Sequence, residues 1–194
     1  MRTLTYYVNA SLDGFIAGPG GEVDVFPFTD DLRDHITARY PETLPTHLRG
    51  PLGVPDAPNR RFDAVVMGRR TYEPALALGI TSPYAHLDQY VVSATLPADQ
   101  PADQPGPTLV PDDPVALVRR LKAQDGLGVW LAGGGRLAGA VLDEVDVLVV
   151  KRSPVVLGAG VPMVAGGAHA ARAFRPVEVV ELPSGTTVTT YERG

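Results

Sequence analysis

The chain has 194 residues, enough for one domain with a sizeable core, and its 44% hydrophobic and 20% charged residues are the balance of a globular protein rather than a disordered one. A net charge of −5 sets aside non-specific nucleic-acid binding, which rewards clustered Lys and Arg. The absence of cysteine removes disulfides, thiolate metal sites and cysteine nucleophiles.

Leu4 to Ala10 is β-branched and aromatic, which predicts a strand. So short a run is no signal-peptide core, and no stretch reaches transmembrane length, so the expectation is a cytoplasmic protein with no membrane partner. Ser11 to Gly21 reads as a glycine-rich loop with Phe15 and Ile16 as apolar anchors, able to fold over a ligand. Thr29 or Asp30 is expected to cap a helix running to about Tyr40, with Leu32, Ile36 and Tyr40 on one side. From Pro41 to Arg61 five prolines predict a long irregular connection, read as a lid or partner contact.

Phe62 to Met67 is a nearly all-apolar strand, and Gly68-Arg69-Arg70-Thr71-Tyr72-Glu73 opens a helix directly after it. Two arginines in a first helical turn oppose the helix dipole, and a bound anion removes that objection. Gln89 to Ser93 is a strand, and a second proline-rich segment at about 97–114 contains a short one at Thr108-Leu109-Val110. Asp113-Pro114 starts a helix expected to end near Asp125-Gly126. Val129 to Ala132 then forms a buried strand, followed by Gly133, Gly134 and Gly135 and an amphipathic helix closing around Glu144. Glycine lets a ligand touch the backbone, and helix-start amides favour an anion, so with Arg136 this junction is read as a phosphate site. Val145 to Lys151 is a further buried strand, and Ser153 to Pro162 an apolar, glycine-containing loop. Val177 to Leu182 and Thr186 to Glu192 alternate around Pro183-Ser184-Gly185, which predicts an edge hairpin. The four histidines (His35, His47, His86, His169) show no i, i+4 pair, so no metal is expected.

Strands alternating with helices and a closing hairpin imply an α/β sheet, largely parallel with an antiparallel edge. Gly133 to Ala138 also satisfies G-x-G-x-x-A, but too little chain follows it for a six-stranded dinucleotide domain, and no G-x-S-x-G elbow suggests a hydrolase.

Four segments in order resemble the dihydrofolate reductase superfamily, most closely the branch containing the reductase domain of bacterial riboflavin biosynthesis and its small stand-alone relatives. They are Ala10 to Ala17, Val66 to Glu73, Leu131 to Leu137 and Pro154 to Pro162. The resemblance implies a single three-layer dihydrofolate-reductase-like α/β domain over 1–194, with insertions at about 41–61 and 97–114. It implies an NADPH-dependent reductase acting on a small heterocyclic substrate of pterin or ribosylaminopyrimidine type, with a non-catalytic nucleotide-binding protein as the alternative. Gly68, Arg69, Arg70 and Thr71 would hold the 2′-phosphate and pyrophosphate, and Gly133, Gly134, Gly135, Arg136 and Leu137 would take the pyrophosphate from the other side. Ser93 would mark the next phosphate turn, although relatives commonly carry arginine where Ala94 stands. Ile16 and Ala17 would cover the nicotinamide, Asp13 would face the substrate, and Asp31 (or Asp30) would sit where the family's proton-donating acid lies. The branch also implies a homodimer.

Overall fold

A computed structural model of the chain describes residues 1–96 and 106–194. The part of the second proline-rich segment at 97–105 lies outside the described residues. In chain order the elements are β1 (Leu4–Ala10), β2 (Phe15–Ala17), α1 (Asp30–Arg39), a 3-10 turn (Pro41–Thr43), α2 (Thr46–Arg49), β3 (Phe62–Gly68), α3 (Arg69–Ala77) and β4 (Asp88–Val92). Then follow β5 (Thr108–Val110), α4 (Pro114–Lys122), β6 (Gly128–Gly133), α5 (Gly135–Ala140), a second 3-10 turn (Leu142–Glu144), β7 (Val147–Arg152), β8 (Val161–Pro162), β9 (Phe174–Glu181) and β10 (Thr187–Arg193).

The main sheet has eight strands in the order β5-β4-β3-β6-β1-β7-β10-β9. Its first six strands are parallel, and β10 and β9 form the antiparallel edge hairpin. Successive side chains point to opposite faces, so the apolar strands feed two cores. Leu4, Tyr6, Val66 and Leu131 pack with Leu117, Val118 and Leu121 of α4 and Leu137 and Ala138 of α5. Tyr7, Val65, Met67, Trp130, Val149 and Val188 pack on the other face with Tyr72 of α3 and Tyr40. Leu32 and Ile36 of α1 join Leu44 in a smaller cluster beside it. The sheet with helices on both faces is the three-layer α/β architecture.

This topology creates the crevice. From neighbouring strands, β3 runs through α3 to β4 on one side and β6 runs through α5 to β7 on the other. Right-handed crossovers then place α3 and α5 on opposite faces, with the carboxyl ends of β3 and β6 between them.

Several expectations need correction. The Pro41–Arg61 segment is not irregular throughout: it contains a 3-10 turn and α2, with Pro41 at the first helical position, where a missing amide costs nothing. It is no loose lid either. Glu42 is fully buried, and its Oε1 accepts from the backbone amides of Arg61 at 2.6 Å, Phe62 at 3.2 Å and Arg60 at 3.3 Å. Phe15–Ala17 and Val161–Pro162 pair as a small two-stranded sheet rather than remaining loops. The α4 helix stops at Lys122, because Gln124 turns back onto the Leu121 carbonyl and Gly126 takes a positive φ. The helix after the glycines ends at Ala140, with the 3-10 turn covering the rest of the way to Glu144.

Candidate functional site

The two glycine junctions meet at the carboxyl ends of β3 and β6. A Cβ built on Gly68 would lie 3.6 Å from the Gly133 carbonyl oxygen and 3.7 Å from the Gly134 nitrogen. One built on Gly134 would meet Thr71 Oγ1 at 3.9 Å and Ile16 Cδ1 at 4.0 Å. Gly134 therefore faces a gap between the start of α3 and the loop after β1, a space that a side chain would fill. Gly133 has φ 117°, which favours glycine, and its peptide bond to Gly134 is cis.

The other two residues of that run have a different task. A Cβ on Gly135 would run into the Pro162 carbonyl, and one on Gly139 into that of Ala165, so α5 packs its glycine face against the 162–167 backbone. The Ala165 amide donates to the Gly135 carbonyl at 2.9 Å. Gly135 thus packs α5 closely against that backbone, and Leu137 is a buried core residue behind Gly68.

The arginines also divide. Arg69 Nε pairs with Glu73 at 2.6 Å, and its Nη1 donates to Thr95 Oγ1 at 2.6 Å. Its guanidinium is thereby laid across the turn after β4, where the sequence carries Ala94 in place of the arginine common in relatives. Ser93 Oγ accepts from the amides of Thr95 (3.3 Å) and Leu96 (3.0 Å), closing that turn. Arg70 and Arg136 are exposed and have no hydrogen-bond or ion-pair partner among the described residues. Thr71 is exposed beside them, at the mouth of the crevice.

Ile16 and Ala17 lie on β2, held by its pairing with β8, and Ala17 is buried. The same loop places Asp13 differently from expectation. Its carboxylate accepts from the amides of Gly158 at 2.7 Å and Leu157 at 3.1 Å, tying the loop after β1 to the loop after β7. A hydrogen bond from Ser11, followed by those from the two amides, holds its pKa down at about 2. Asp31 is occupied in the same way. Thr29 Oγ1 donates to it, as do the amides of Leu32 at 2.8 Å and Ser184 at 2.7 Å. The Thr29 hydroxyl first, then the Ser184 amide, lowers its pKa to about 2. Neither acid carries a proton to give near neutral pH. Their work is to pin loops.

The most unusual charge was given no part in the reductase site by sequence reading. Lys151 of β7 is 8% exposed, and burial pulls its amine down to about 7. Its register partner on β1 is Asn9. The available signal was a lysine ending an otherwise apolar strand.

A sequence-family comparison settles the lineage: the RibD C-terminal domain matches residues 2–188. The chain belongs to that family. An uncharacterized Bacillus subtilis (strain 168) protein, YwjB, is 27% identical over 164 residues, covering 84% of this chain and 82% of its own. The crystal structure of a putative riboflavin biosynthesis protein from Shewanella sp. PV-4 is similar with a TM-score of 0.73 at 25% identity, over 100% of this chain and 99% of that one. The bifunctional diaminohydroxyphosphoribosylaminopyrimidine deaminase/5-amino-6-(5-phosphoribosylamino)uracil reductase of Thermotoga maritima shares the fold, with a TM-score of 0.65 at 16% identity. All of this chain aligns there with 57% of the larger protein. The RibD C-terminal domain fold accounts for the mostly parallel sheet and the antiparallel end, as the four motifs implied. Among the described residues, no helix is long and apolar enough to cross a membrane.

Proposed function

We propose that this protein is an NADPH-dependent reductase delivering hydride to a small heterocyclic substrate of pterin or ribosylaminopyrimidine type. One observation carries the reading: a side-chain-free cradle at Gly68 and Gly134, in the crevice between two crossovers, flanked by Arg70 and Arg136 with no partner of their own among the described residues. Such a cradle fits a pyrophosphate, because glycine backbone allows close approach and unpaired guanidinium groups supply the counter-charge. Arg69, laid across the 93–96 turn, supplies the guanidinium for a 2′-phosphate that Ala94 lacks. Ile16 and Ala17 cover the nicotinamide and exclude water from it. When bound, NADPH supplies the hydride, and the protein's task is to orient and shield.

The test is oxidation of NADPH in the presence of pterin and ribosylaminopyrimidine substrates. Turnover with one of these rings, reduced at least tenfold by Arg70→Ala at sub-saturating NADPH, is the expected outcome. The engagement of Asp13 and Asp31 in loop-pinning hydrogen bonds favours a second reading, a nucleotide-binding protein that has lost the chemistry. Saturable NADPH binding without turnover on any ring substrate would select it.

A further inference from the structure

Lys151 and Lys122 are the chain's two lysines. Lys122 is conventionally served, its Nζ donating to the Glu144 carbonyl at 2.9 Å and pairing with Asp146 at 2.8 Å. Lys151 is equally buried, yet it has no ion pair and no side-chain hydrogen bond among the described residues. Its Nζ stands 3.5 Å from the centroid of the Tyr7 ring, a cation–π contact that compensates only part of the lost hydration.

Its surroundings are short of partners too. Asn9 lies opposite on β1, with its Oδ1 buried and unpaired. Ser153, two residues further on and 0% exposed, leaves its Oγ unpaired. His35 of α1, on the same side of the sheet, leaves Nε2 unpaired. Buried polar atoms are ordinarily paired, so orphans around an uncompensated lysine mark a place where a ligand supplies the missing partners. Asn9 is half-buried and is followed directly by Ala10 and the loop bearing Ile16.

We propose that Lys151 and Asn9 are the substrate-orienting pair of this site, Lys151 donating to a ring carbonyl oxygen and Asn9 Oδ1 accepting from the adjacent ring N–H. The name substrate rests on the reductase reading; the contact itself does not. Lys151 and Asn9 are register partners on neighbouring strands, so a donor and an acceptor stand side by side, the complement of the C=O and adjacent N–H of a cyclic amide.

Proton linkage gives the pair a signature. The charged and titratable groups around this floor are Tyr7 from β1, His35 and Arg39 from α1, Tyr40 after it, Glu42 of the 3-10 turn, Arg61, and Glu178 from β9. Arg39 holds Glu178 down, and burial pushes Tyr7 up and His35 below its ordinary value. An acceptor bound at Lys151 favours its charged form and raises its pKa. Affinity therefore strengthens as pH falls through the raised value and levels off below about 7, where the free amine is already protonated.

The experiment is a pH titration by NMR of the protein labelled with ¹³Cε-lysine, with and without 5,6-diaminouracil, alongside calorimetry on Lys151→Met and Asn9→Leu. The expected result is an upward shift of the Lys151 titration with Lys122 unmoved, and roughly ten- to a hundredfold weaker binding in either variant. An unmoved Lys151 signal at saturating ring, no ring binding at all, or undiminished binding by Lys151→Met overturns the proposal. NADPH binding is measured on the same samples. Cofactor binding with an unmoved Lys151 sinks this pair alone, whereas a responding Lys151 without cofactor binding keeps the pair and sinks the reductase reading.

Discussion

Gly68 at the end of β3 and Gly134 after β6 stand face to face, so that a Cβ on the first would come 3.7 Å from the backbone nitrogen of the second. That separation is ordinary van der Waals contact, and Gly134 has an extended backbone at φ −84° that any residue adopts. Gly134→Val is therefore expected to fold with little change in melting temperature while filling the space between Thr71 and Ile16. NADPH affinity should fall at least tenfold. A variant with unaltered affinity would remove Gly134 from the cofactor's path.

Gly135, one residue on, should behave in the opposite way. A Cβ there meets the Pro162 carbonyl, and backbone does not yield as a flexible side chain does. Gly135→Ala is expected to cost about 1–3 kcal/mol of stability through overpacking. Thermal unfolding of the two variants side by side separates the packing glycine from the cradle glycine.

Glu42 should be among the most sensitive positions in the 41–61 segment. Replacing it with alanine strands the three backbone amides of Arg60, Arg61 and Phe62 at the entrance to β3. The expected loss is about 3 kcal/mol, seen as a melting temperature lower by roughly 10 °C. A change of a degree or less would mean that the segment is held by something else.

Asp13 and Asp31 are expected to appear in acid stability rather than in the pH profile of turnover. Both have folded pKa values near 2, depressed from the ordinary value of 3.8. Their stabilising contribution is fully present above the unfolded value and is lost as pH falls through the folded one. Asp31→Asn should make the acid-unfolding curve shallower between roughly pH 4 and 2 and leave the neutral-pH profile of activity unchanged. A turnover arm that disappears in Asp31→Asn would restore that acid as the proton donor.

The fold was legible in the sequence because strand identity rests on short apolar runs: Leu4 to Ala10, Phe62 to Met67 and Val129 to Leu131 are buried on both faces. The glycine junctions were legible because glycine followed by arginine at a strand's end has few purposes. What the sequence did not carry was the direction in which each side chain looks. Arg69 and Arg70 are adjacent, yet one is bound by Glu73 and Thr95 and the other has no partner among the described residues. Asp13 sits in a motif that points to ligand, but loop residues more than a hundred positions away claim its carboxylate. Lys151 was given no role at the reductase site because a buried, unpaired lysine is recognised only once the strands are in register.

The central claim is a cofactor site selective for the extra phosphate, and the chain's one tryptophan reports on it directly. Trp130 is 5% exposed and lies on β6, the strand that ends at Gly133. Titration with NADPH and separately with NADH, following Trp130 emission, should give saturable quenching, at least tenfold tighter for NADPH. Equal affinity for the two would contradict the assignment of Arg69 to a 2′-phosphate. No saturable quenching by either, with calorimetry equally silent, would contradict the reductase reading as a whole.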